Sequence, residues 1–160
     1  MRRLIVLAGL VGSFVLLVYT SWGDASVPRA HATSTVPLVI LKAPDGETLA
    51  LARVIVHGRV FPFLIDTGSA KTLVDTALAR KLHLKTVGRP ITVTGVGCSE
   101  TARKVRLGRW SIGGQKLPNI IATSSTIAGN GKAFGLLGSD VLSHFGAIGL
   151  DYAHGQLTLG

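Results

Sequence analysis

The stretch "FPFLIDTGSAKTLV", residues 61–74, sets a carboxylate between two apolar runs. Phe63, Leu64 and Ile65 lead into Asp66, and Leu73 and Val74 follow after a short turn. A buried carboxylate without a partner is costly, so a chain that carries one along an apolar strand must pair it or neutralise it. That demand restricts the chain more than its length or composition does.

The surroundings of this stretch read as strands. The chain is 47% hydrophobic and 16% charged, which suits a folded domain, and its 20 glycines suit many tight turns. "PLVILKA" predicts a strand that ends at the turn "PDGE", residues 44–47. "LALARVIVHGRVFPFLI" predicts two strands joined at His57-Gly58. "VDTALARKLHL", residues 74–84, is the one convincing helix, with Leu78, Ala79 and Leu82 on one face. Two further hairpins follow, one over 90–107 with its tip at Gly95-Val96-Gly97, one turning at Gly113-Gly114. "TSSTIAGNGKA" reads as a polar loop, and "AIGLDY" and "QLTL" as a closing strand pair. Short strands at regular spacing, with one or two short helices, predict a mainly β, barrel-like domain.

The N-terminus is a separate object. Arg2 and Arg3 precede the uncharged run "LIVLAGLVGSFVLLVY", residues 4–19, with Trp22 just beyond. A basic start followed by an apolar core is the pattern of a signal anchor or a signal peptide, here residues 1–22. Residues 23–36 read as a small, polar linker, leaving 37–160 as the folded domain. The positive-inside rule then places that domain outside the cytoplasm, tethered to a membrane through a transmembrane segment or released by secretion.

Several chemistries lack their residues. The net charge of +9 is scattered, with "RKLHLK" and "ARKVRLGR" the densest clusters. No aromatic residues interleave them, so they do not describe a nucleic-acid surface. His57, His83, His144 and His154 have no metal-ligand spacing. No strand–Ser–helix elbow, phosphate loop or dinucleotide fingerprint occurs. The single cysteine, Cys98, excludes a disulfide within one chain.

"FLIDTGSAKTLV" resembles the active-site segment of the retropepsin-like aspartic proteases: a hydrophobic strand, Asp-Thr-Gly-Ser, and a hydrophobic return. "FGLLGSDVLSHFG" resembles that family's supporting segment, Leu136-Leu137-Gly138, followed by its short C-terminal helix. "AIGLDYAHGQLTL" is similar to the closing strands of bacterial membrane-associated members. The resemblance implies a single-lobed acid-protease barrel, with Asp66 catalytic and its loop supported by Thr67, Gly68, Ser69, Leu136, Leu137 and Gly138. It further implies that the Thr67 hydroxyl locks two such loops together and that Ser69 helps to hold Asp66. The tip at Gly95, Val96, Gly97 and Cys98 matches the position of the flap that closes over substrate. Ser139 stands where retroviral members carry an arginine that contributes to the dimer interface.

Hydrolysis by this route needs two adjacent carboxylates sharing one proton. This chain has one Asp-Thr-Gly and no second copy, so the resemblance implies a homodimer with Asp66 from each subunit at the two-fold axis. The expected substrate is a peptide or protein, with no metal and no organic cofactor. The competing reading is a catalytically silent barrel that binds peptides or partners at a membrane surface.

Overall fold

The computed structural model describes residues 33–42, 46–95, 98–127 and 131–160. The described chain runs β1 (Ser34–Lys42), β2 (Thr48–Val56), β3 (Arg59–Ile65), β4 (Leu73–Asp75), α1 (Thr76–Lys81), β5 (Thr86–Gly95) and β6 (Cys98–Leu107). It continues through β7 (Trp110–Ile112), β8 (Gln115–Lys116), β9 (Ile120–Ser125) and β10 (Gly135–Leu137). Then come α2 (Ser139–Leu142), a 3-10 turn (Ser143–Phe145), β11 (Ile148–Asp151) and β12 (Gln156–Leu159).

The alternation of side chains selects these strands. In β2, Ala50, Ala52, Val54 and Val56 are buried, while Leu49, Arg53 and Ile55 face out. The β2–β3 turn has φ of 49° at His57 and 79° at Gly58. Two successive left-handed residues are what a two-residue hairpin with right-twisted strands requires. Inward-facing residues from most elements meet in one core, including Val54, Phe63, Val74, Leu78, Leu107, Ile112, Leu137, Val141 and Leu157. Trp110 closes it, its Nε1 donating to the Pro118 carbonyl at 2.8 Å.

The connection that matters most for the site is out of sequence order. β10 lies between β3 and β4, parallel to the first and antiparallel to the second. Leu136 therefore pairs with Leu64 on one side and Leu73 on the other. β4 continues the sheet into β9, and β6 and β5 complete that edge.

Three expectations are corrected. The linker does not reach residue 36, because Ser34–Val36 form the start of β1 and pair with β12, burying Val36. The helix is shorter than 74–84. Leu73–Asp75 are drawn into the sheet between β10 and β9, Asp75 caps α1 through Ala77 N at 2.7 Å, and His83 turns left-handed at φ 50°. The polar loop begins later than Thr123, since Thr123–Ser125 belong to β9 and are held there by both β4 and β6. The signal segment 1–22, linker residues 23–32 and part of the "PDGE" turn lie outside the described residues. Among the described residues no helix is long and apolar enough to cross a membrane.

Gly135 is where β10 crosses the ring of Phe63, and a Cβ on it would overlap that fully buried ring. Gly135→Ala is therefore expected to cost about 1–3 kcal/mol of stability by overpacking. Chemical denaturation of the purified protein measures it directly.

Candidate active site

Asp66 follows β3 immediately, and the side-chain parity of that strand decides where its carboxylate goes. Phe61, Phe63 and Ile65 point into the core, so Leu64 and Asp66 fall on the opposite face. Asp66 is accordingly half-buried, and Thr67 and Gly68 behind it are exposed. The apolar approach thus ends at the border of the core rather than inside it, which corrects the expectation of a core-like surrounding for this acid.

The backbone holds the acid firmly. Asp66 N donates to the Leu137 carbonyl at 3.1 Å, extending the β3–β10 ladder by one rung. The carboxylate Oδ1 accepts from Gly68 N at 2.9 Å. A Cβ on Gly68 would stand 3.3 Å from that same oxygen, so glycine keeps the approach to the carboxylate open. Ser69 holds Asp66 through the backbone, its N donating to the Asp66 carbonyl oxygen at 3.3 Å. Its hydroxyl donates to the Lys71 carbonyl at 2.8 Å, tightening the loop's return. The Thr67 side chain makes no hydrogen bond among the described residues.

Behind the loop, Leu136 and Leu137 lie in β10 alongside Leu64 and Ile65, with Leu137 fully buried. Gly138 is required by contact, because a Cβ there would lie 2.6 Å from the Lys71 carbonyl carbon and 2.9 Å from the Ser69 carbonyl oxygen. Ser139 N and Oγ both donate to that Ser69 oxygen, at 2.8 and 3.1 Å. The position that carries arginine in retroviral members is used here to tie α2 to the Asp66 loop.

Two residues of this support escaped the sequence reading. Thr72, fully buried, donates through both its backbone N and its Oγ1 to Asp140 Oδ1, at 2.9 and 2.8 Å. The same Oγ1 accepts from Gly138 N at 3.2 Å. Asp140 is the second of these residues. It sits in the first turn of α2, yet its carboxylate clamps a residue 68 positions earlier. The available signal was Thr72 standing polar before the apolar pair Leu73-Val74, but nothing in one sequence names its partner.

Of the expected flap, Gly95 and Cys98 end β5 and β6 and face each other in register. Val96 and Gly97 lie outside the described residues. Among the described residues no group of three or more His, Cys, Asp or Glu side chains could hold a metal ion.

The Thr72 clamp makes a specific demand. Thr72→Val keeps the shape but leaves Gly138 N without its acceptor and Asp140 with one donor fewer. The expected loss is about 1–3 kcal/mol, read by thermal or chemical denaturation.

A family model described as "Aspartyl protease" matches residues 52–141, from β2 through the Asp66 loop to α2. The fold matches the crystal structure of a retropepsin-like aspartic protease from Rickettsia conorii with a TM-score of 0.55 and 22% identity. That match covers 80% of this chain and 92% of the other. No curated protein matches the chain. With the family model spanning more than half of the sequence, the chain belongs to the aspartyl protease family, and its fold, with β10 threaded behind an Asp-Thr-Gly loop, is that of a retropepsin-like structure.

Proposed function

We propose that this protein is an aspartic endopeptidase whose active site is completed by a second copy of the chain. The observation that carries this reading is a half-site. One carboxylate, Asp66, is fixed by its own loop on a half-exposed face, and the chain has no second Asp-Thr-Gly to set against it. A symmetric dimer brings a second Asp66 to the two-fold axis with no further sequence. The exposed Thr67 hydroxyl, without a partner among the described residues, is free to bond the other loop.

Two carboxylates at contact distance cannot both ionise, so the pair holds one proton between them and titrates as a unit. The ionised member takes a proton from a bound water, whose oxygen attacks the scissile carbonyl carbon. The protonated member gives its proton to the carbonyl oxygen, yielding a tetrahedral diol. Collapse of the diol breaks the C–N bond as the amide nitrogen accepts the pair's proton and the ionised carboxylate takes a proton from one diol hydroxyl, so the acid and amine products leave and the pair again holds one proton. The substrate is an extended peptide, and the β5–β6 hairpin is the element that closes over it. Residues 1–22 tether or export the domain, residues 23–33 span the gap, and cleavage takes place outside the cytoplasm.

Two outcomes are expected from a peptide-library cleavage assay. Asp66→Asn lowers turnover by about 10³-fold or more, because it removes the shared proton and the base together. Cleavage by the unaltered protein follows a bell-shaped pH profile, falling when the pair gains its second proton and again when it loses its last. Equal turnover by the two proteins would remove Asp66 from the chemistry.

A further inference from the structure

The two densest basic clusters of the sequence converge on one cleft that the catalytic reading does not use. This cleft, about 570 Å³, lies between α1 and the strands β5, β6 and β9, and no residue of the Asp66 loop lines it. Its size is that of a small-molecule site. Ala79, Leu84 and Val105 give it an apolar wall, and Arg80, His83 and Arg103 are its only charged or ionisable lining. Among the described residues no carboxylate lines it.

Strand parity explains why a cation is there. On β6, Arg103 shares a cleft wall with the buried Val105, but is itself exposed, at the point where the core opens. Its neighbour across the ladder is Ser124 of β9, one row beyond the buried pair Val105 and Ala122. Ser124 is only 6% exposed, and its hydroxyl makes no hydrogen bond among the described residues. That hydroxyl is nevertheless not sealed off, since no buried polar side-chain atom lacks a partner. It therefore opens on the cleft. Neither Arg80 nor Arg103 forms an ion pair among the described residues.

We propose that this cleft binds a small organic anion: a phosphate or carboxylate held by Arg80, Arg103 and the Ser124 hydroxyl, with its hydrocarbon part against Ala79, Leu84 and Val105. Arginines suit oxyanions because their planar donors match the oxygen geometry. A largely buried hydroxyl supplies the oriented contact that distinguishes a site from a solvated basic face. The bound anion would join α1, which follows the Asp66 loop through β4, to the hairpin strand β6.

The test uses the full chain in a non-ionic detergent at constant ionic strength. Phenyl phosphate, inorganic phosphate and benzyl alcohol are titrated separately by calorimetry. Phenyl phosphate is expected to saturate a single site and to bind more tightly than inorganic phosphate, while benzyl alcohol gives no saturable heat. Arg103→Gln and Arg80→Gln should each weaken phenyl phosphate binding by about tenfold, and Ser124→Ala by a few-fold, as loss of charged and neutral hydrogen bonds implies. Asp66→Asn should leave the affinity unchanged. Absence of saturation at about ten times the millimolar range of weak ligands would overturn the proposal. So would an affinity unchanged from the wild-type chain in both arginine variants, of which Arg80→Gln changes only an exposed helical surface, or loss of binding in Asp66→Asn.

Discussion

The structure depends on one insertion: β10 lies between β3 and β4 and holds the Asp66 loop from behind. The loop leaves β3 and returns as β4, so its ends are separated by a strand that arrives about 70 residues later. Nothing local could keep such a loop in place. Glycine at 135 lets β10 lie against Phe63, and glycine at 138 lets the chain pass the Lys71 and Ser69 carbonyls. The Thr72–Asp140 clamp then joins the loop's return to α2, with hydrogen bonds to a buried hydroxyl in a dry setting. Asp66 is positioned almost wholly by backbone, and side chains distant in sequence hold that backbone.

Much of this was legible in the chain before its structure. The alternation in Leu49–Val56, the left-handed pair His57-Gly58 and the glycines at 113 and 114 are local signals, and the strands and turns fell where they indicated. The Asp66 loop and the Leu136-Leu137-Gly138 segment were legible as a pair because each carries a distinctive residue pattern. What was not legible depended on distant partners. Val74 and Asp75 open the stretch expected as helix, but β10 and β9 take them into the sheet with Leu73. Ser34–Val36 look like linker until β12 pairs with them. The Ser69 hydroxyl goes to the Lys71 carbonyl and the Asp140 carboxylate to Thr72, a choice made by packing rather than by local pattern.

Parity along β3 is the sharpest lesson about the site. An apolar run ending in aspartate suggests burial, but the strand places its odd-numbered side chains inward and its carboxylate outward. The acid is thus presented rather than hidden. A single half-exposed carboxylate fixed to a rigid loop is a poor catalyst alone and half of a good one. The neighbouring Thr67 and Gly68 share its exposure, so the surface around Asp66 is available to a second copy.

Shared catalysis by two Asp66 carboxylates is tested most directly by mixing chains. Wild-type and Asp66→Asn chains are refolded together at a fixed total concentration, and peptide cleavage is measured as the wild-type fraction falls. If each site needs Asp66 from both subunits, activity falls with the square of that fraction. A linear fall would show that one Asp66 suffices, and would contradict the account.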